Sequence, residues 1–254
     1  MKNNQQIGNV SNSNLNNVNI NNQTINNHKN IKYRTLDDII SDFCNSINEY
    51  IEIKNIADIS EEYTQKWKKA NNSMFDALHY FIDKNHFKDK FYYSYIIPPV
   101  GFFVTAESRK TKSKYNFVYD DIHNTFSLES YIYNTYNIKN LQDDFLIDFF
   151  NQSRKYGFSF FENFWASSKS KYPDLFKTFK GSIFRMMRNY FFCIIERQGN
   201  MDDFGSWEKI WTIDQPIEDI FRDAPNILKS FYNFNYNLWK IEDLRNKKKF
   251  YSDI

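Results

Sequence analysis

Between residues 36 and 53 apolar side chains recur every three or four positions: Leu36, Ile39, Ile40, Phe43, Ile47, Tyr50 and Ile51. That spacing places them on one side of a helix, and Thr35 with Asp38 supplies a capping-box start. A second helix is predicted from Ile59 to about Asp83, opened by Asp58 and Glu61 and striped by Tyr63, Trp67, Ala70, Met74, Leu78 and Phe81. Two striped helices in succession pack as a helical hairpin. The pattern then changes. Phe91–Ile97 is aromatic and β-branched and closes on Pro98-Pro99, and Gly101–Glu107 and Lys114–Asp121 are short β-rich runs around a basic turn. They predict one strand and one hairpin.

Helical spacing returns at Leu141, Phe145, Leu146, Phe149 and Phe150, after Asn140 and Asp143 and before Gly157. Ser159 and Glu162 read as the capping box of a short helix carrying Phe160, Phe161, Phe164 and Trp165. Pro173 opens a long helix whose wide apolar side runs through Ile183, Met187, Tyr190, Phe191 and Ile194 to a stop at Gly199. Phe184, Met187, Phe191 and Ile194 are expected in the core. Pro225 opens a last helix with Ile227, Phe231, Phe234, Leu238 and Ile241 in register, although Phe234-Asn235-Tyr236-Asn237-Leu238 also fits a strand. The expected fold is therefore mainly α with a small antiparallel β element (α+β). It forms one aromatic-rich domain over residues 32–254 with its β-hairpin near 101–121, preceded by an Asn-rich segment at 1–31.

Composition narrows the function classes. The 26 Phe, 18 Tyr and 5 Trp among 254 residues argue for a core filled by rings. Residues 1–30 hold Lys2 and Lys29 and no acid, which leaves 31 basic and 31 acidic side chains beyond them. A body without net charge is poorly suited to wholesale phosphate neutralisation. Asn, Lys, Ile, Tyr and Phe are all read from AT-rich codons, so genome composition accounts for part of the bias. The two cysteines, Cys44 and Cys193, lie among apolar residues, as in a cytosolic protein without a disulfide framework. The longest apolar run is the six residues Tyr190–Ile195, against roughly 20 for a membrane span. No signal-peptide pattern opens the chain. The expectation is an intracellular, cytoplasmic protein without a membrane span.

The first 30 residues include 13 Asn, and their apolar residues Val10, Leu15, Ile20 and Ile25 are spaced by exact fives. The blocks are Gly-Asn-Val-Ser-Asn (8–12), Ser-Asn-Leu-Asn-Asn (13–17), Val-Asn-Ile-Asn-Asn (18–22) and Gln-Thr-Ile-Asn-Asn (23–27). Residues 8–27 resemble the pentapeptide-repeat family, which implies a square β-solenoid with the central apolar residue inward. Asn suits its corners, because it tolerates left-handed backbone and can stack in ladders. The segment departs from that family in its mostly β-branched central residue and in its length, since four blocks make a single turn. One turn cannot bury its own apolar row, because repeats need stacked neighbours. Order here implies stacking on other chains; the alternative is a disordered tail. Gln6-Ile7-Gly8-Asn9 followed by alternating Asn and aliphatics also resembles the short amyloid-signalling motifs of the RHIM kind.

Candidate chemistry is sparse. Arg109, Lys110, Lys112 and Lys114 sit in one turn flanked by Phe102, Phe103, Tyr115 and Phe117. Cations interleaved with rings grip single-stranded nucleic acid; a solvated hairpin tip has the same composition. Asp120-Asp121-Ile122-His123 follows a predicted strand, as an acid–base or ligand cluster would or as a capped turn would. His79 and His86 share a helix face but lack further ligands. Gly157-Phe158-Ser159-Phe160-Phe161 lacks the second Gly of a nucleophile elbow. No catalytic residue, metal site or cofactor is assigned. Three classes stay open: a non-enzymatic interaction or assembly protein whose partner is itself or another protein, with microbial or viral host-defence signalling as its setting; a nucleic-acid-binding protein using 108–114; and an enzyme with a non-motif active site.

Overall fold

The computed structural model describes residues 35–54, 60–96, 102–162, 182–195 and 204–252. Helix α1, Leu36–Ile53, starts at Thr35 with both halves of its capping box formed, and Phe43, Ile47 and Tyr50 on its inner side are buried. Helix α2, Glu61–Asp83, is capped by Ser60 and buries Ala70, Met74, Leu78 and Phe81 against α1 and the sheet. Strands β1 (Phe91–Ile96), β2 (Phe102–Ser108), β3 (Lys114–Asp120) and β4 (Thr125–Tyr131) follow as an antiparallel meander. Next come a 3-10 turn at Thr135–Asn140, helix α3 (Asp143–Tyr156), strand β5 (Ser159–Glu162), helix α4 (Ser182–Ile195), strand β6 (Gly205–Thr212) and helix α5 (Ile217–Ser252).

The sheet is the main correction to the expected fold. It has six strands in the order β1-β2-β3-β4-β6-β5, all neighbours antiparallel, so the fold is α+β with a sizeable sheet and not a helical body with a small β element. Three strands lie outside the expected strand and hairpin: β4, β5 and β6. Ser159 and Glu162 do not cap a helix: both pair with β6, opposite Glu208 and Gly205. The stretch after Gly199 carries β6, in which Trp207 and Trp211, two and six residues after its first residue Gly205, are buried. Gly205 is required there: its φ is +148°, and an added Cβ would stand 2.5 Å from the Phe161 carbonyl oxygen.

Helices α1, α2 and α5 cover one face of the sheet. Phe43 lies 5.4 Å from Phe126 and 5.9 Å from Phe117, and Phe81 lies 5.5 Å from Phe117. Phe221 of α5 closes this cluster at 5.6 Å from Phe43. A second cluster joins Phe149, Phe158, Trp207, Phe231 and Phe234. Such ring pairs add about 0.5–1.5 kcal/mol beyond their buried area.

Helix α5 starts at Ile217 and carries Pro225 inside it, eight residues before the position that would have opened it were Pro225 the first residue. It also resolves the ambiguity at 234–238 as helix. Asn235 is buried there and donates to Ser130 Oγ and the Tyr131 carbonyl, both at 3.0 Å, while its Oδ1 accepts from Tyr133 N–H at 3.1 Å. That amide locks α5 to the end of β4. Helix α4 departs from expectation in its orientation. Met186, Tyr190 and Cys193 are buried, but Phe191 and Ile194, expected in the core, are 54% and 42% exposed. A stripe can be wide enough on the sequence to include residues that the packed side never covers. Phe184 lies outside the residues whose side chains are described. Among the described residues no helix is long and apolar enough to cross a membrane.

Candidate functional site

The basic turn is tethered from below. Asp89 accepts hydrogen bonds from Ser108 Oγ at 2.5 Å, Lys110 N–H at 3.2 Å and Tyr232 O–H at 3.2 Å, and Arg109 N–H donates to the Lys90 carbonyl at 2.8 Å. The four cations do not form one surface. The Arg109 guanidinium lies over the Tyr92 ring at 4.7 Å. Lys110 Nζ donates to the Lys88 carbonyl at 2.9 Å and sits 5.6 Å and 5.9 Å from the Tyr236 and Trp239 rings. Lys112 and Lys114 are exposed. Val10, Leu15, Ile20 and Ile25, the apolar row of the five-residue blocks, lie outside the described residues.

The remaining sequence candidates resolve into local structure. Asp120 accepts from Ile122 and His123 N–H groups at 2.9 and 3.2 Å, and its other oxygen meets His123 Nδ1 at 2.6 Å. Burial opposes the Asp120 charge, but these bonds outweigh it and hold the carboxyl below its ordinary range. His79 stacks on Tyr93 at 4.9 Å and pairs with Asp83 at 2.9 Å. Burial, reinforced by Glu218, pushes the Cys44 thiol up, away from thiolate reactivity. Among the described residues no three His, Cys, Asp or Glu side chains converge as metal ligands would.

The most unusual chemistry lies on the sheet face away from α1, α2 and α5. Register places Ser94, Thr105, Asn116, Glu129, Glu208 and Ser159 side by side across all six strands, about 4.8 Å from strand to strand. Thr105 and Asn116 are buried, at 6% and 8% exposure. Thr105 Oγ1 donates to Asn116 Oδ1 at 2.9 Å, Asn116 Nδ2 reaches Glu129 at 3.5 Å, and Ser127 Oγ donates to Glu129 at 3.1 Å. Glu129 and Glu208 are direct partners on β4 and β6, an opposition of like charges that destabilises a sheet when both are ionised. Burial raises the Glu129 carboxyl above its ordinary range, against the pull of Asn116 and Ser127. Burial and then the Glu129 charge push Glu208 up to about 7. The two carboxyls are coupled, and because Glu208 gives up its proton only near pH 7 the pair retains at least one proton across the acidic range. One carboxyl can donate that proton while the other accepts.

Nothing in the sequence marks this row. Glu129 sits in Thr-Phe-Ser-Leu-Glu-Ser-Tyr and Glu208 in Gly-Ser-Trp-Glu-Lys-Ile-Trp-Thr, at polar positions of alternating strands, where an acid ordinarily meets solvent. Only the β4–β6 register brings them together. No protein-family model, no curated protein and no solved structure matches this chain.

Proposed function

We propose that this chain is an interaction and assembly protein that associates with copies of itself, through the Asn-rich blocks at 8–27 and through a surface of the folded body. The observation that carries the reading is the outer side of α4. Phe191, Ile194 and Ile195 expose 54%, 42% and 69% of their surface while Met186, Tyr190 and Cys193 behind them are buried. Spaced three and four apart, they make one patch, and contiguous apolar exposure of this kind marks contact surfaces. A second copy is the occupant that fits. A one-turn repeat needs stacked copies to bury Val10, Leu15, Ile20 and Ile25. Chains gathered that way meet at high effective concentration, where a weak patch on the body is enough to associate. The RHIM-like Gln6-Ile7-Gly8-Asn9 points to signalling in microbial or viral host defence as the setting.

Light scattering of the full chain tests this. Wild type is expected above its monomer mass of 30.8 kDa at high concentration, and Leu15→Ser with Ile20→Ser lowers that mass without moving the melting temperature. A wild-type chain that stays monomeric at every concentration overturns the reading.

A second reading rests on the Glu129–Glu208 opposition alone: acid–base catalysis on a ligand bound across the polar row. It requires an activity whose rate depends on a shared proton and disappears in both Glu129→Gln and Glu208→Gln while each variant folds. An activity that survives both substitutions removes it.

A further inference from the structure

The hairpin tip, the residues after β4 and the second half of α5 enclose a cleft of about 320 Å³, within the range of small-molecule sites. Its walls divide by chemistry. Lys110 and Lys112 line it from the hairpin, Trp239, Glu242 and Asp243 from α5, and Asn134 from the segment after β4. We propose that this cleft binds one nucleotide unit, with its phosphate on the lysine side, its base against the Trp239 indole and its sugar hydroxyls or base amino groups on the acidic side.

The Lys110 side chain and the backbone at Lys112 and Asn134 are held in place by bonds within the protein. Lys110 is fixed by the Lys88 carbonyl at 2.9 Å and by the Tyr236 and Trp239 rings, so the cation stands beside the indole. Lys112 is exposed and enters no ion pair among the described residues. Its backbone has φ +61°, and Asn134 has φ +53°. Left-handed backbone at residues other than glycine is strained and persists where the surroundings enforce it. Here the Ser108 carbonyl holds Lys112 N–H at 3.0 Å, and Asn134 accepts from Asn137 N–H at 2.9 Å. On the opposite wall Glu242 is accounted for by Asn137 Nδ2 at 3.2 Å and Arg245 at 3.5 Å, and Asp243 by Lys247 at 2.7 Å. Carboxylate oxygens accept hydrogen bonds and so suit hydroxyl and amino donors, and the bonds from Tyr136 and Asn137 hold the Glu242 carboxyl below its ordinary range. A ligand with phosphate at one end and such donors at the other matches both walls, and an indole is the stacking surface that bases use.

Phosphate and base could come from a free nucleotide or from a single strand, and the experiment separates the two. The intrinsic fluorescence of the full chain is titrated with adenosine monophosphate, uridine monophosphate, inorganic phosphate and a short oligouridylate, in wild type, Lys112→Ala, Trp239→Phe and Lys114→Ala. Saturable quenching by a mononucleotide that exceeds that by inorganic phosphate is expected. Lys112→Ala should weaken it about tenfold, the worth of one charge-assisted hydrogen bond. Trp239→Phe should remove most of the signal change, and Lys114→Ala should leave affinity unchanged. Tight binding of the oligouridylate alone, with the same dependence on Lys112, keeps the nucleotide site and assigns it to single strands. Equal response to nucleotide and inorganic phosphate, or affinity indifferent to Lys112→Ala, overturns the proposal. None of these outcomes depends on self-association.

Discussion

Replacing Glu208 with Gln removes one of two carboxyls that face each other across β4 and β6 and keeps the side chain's size. Its effect on stability can be worked from the titration. Glu208 moves from an ordinary 4.5 to about 7 on folding, so the folded chain keeps a proton that the unfolded chain releases between those values. Stability from this group is fully present below the unfolded value of 4.5, falls as pH rises toward 7 and is level above it. At about 1.4 kcal/mol per pH unit the loss has an upper limit of about 3.4 kcal/mol. Glu208 retains some contact with solvent, and a value near 2–3 kcal/mol is expected. Glu129, raised as well, acts in the same direction. Asp120 and Glu242, both lowered, contribute stability that is lost only on acidification through their folded values. Subtracting the wild-type profile from the Glu208→Gln profile removes their contribution. Urea unfolding followed by tryptophan fluorescence, at steps from about pH 4.5 to about pH 8, reads the difference. The variant should match wild type at the acid end and exceed it by about 2–3 kcal/mol at the alkaline end. A difference profile that is flat, or that favours wild type at alkaline pH, would refute the register argument, because two ionised carboxylates in direct opposition cannot be neutral to the sheet.

Asn235→Ala removes three hydrogen bonds between α5 and the end of β4 and should destabilise by about 2–3 kcal/mol in urea unfolding; a loss below about 0.5 kcal/mol would show that the amide is not what joins them. Phe43→Ala and Phe191→Ala form a contrasting pair. Phe43 is fully buried, and its truncation should cost about 3–5 kcal/mol. Phe191 is 54% exposed, and its truncation should change unfolding by less than about 1 kcal/mol while lowering the mass seen by light scattering. Equal destabilisation by the two would return Phe191 to the core.

The stripes of α1 and α2 and the cap of α1 were legible because they are local: Thr35, Asp38 and the Ile39–Phe43–Ile47–Tyr50 series lie within a few turns of each other, whereas α2 is capped by Ser60 and not by the expected Asp58. The left-handed Gly157 ending α3 is local in the same sense. Strand β5 was not legible, because Ser159 and Glu162 satisfy the capping-box pattern and only pairing with β6 makes them strand. Strand β6 was missed because it lies in a turn-rich stretch, between Gly199-Asn200 and Asp214-Gln215-Pro216, where Trp207 and Trp211 alternate with Glu208 and Ile210 over only eight residues. The inner and outer sides of α4 were likewise undetermined, since Phe191 and Tyr190 are equally apolar and the choice between them belongs to the neighbours each side meets. The polar row is the clearest case. Whether Glu129 faces water or Glu208 depends on register between strands separated by α3, β5 and α4, and a slip of one residue would turn either side chain to the other face. Periodicity along the chain therefore determined which segments are helical and which side chains could be buried. The neighbours across strands, and with them the shared proton and the cleft under the hairpin, were decided by tertiary packing, because contacts distant in sequence carry no local signature.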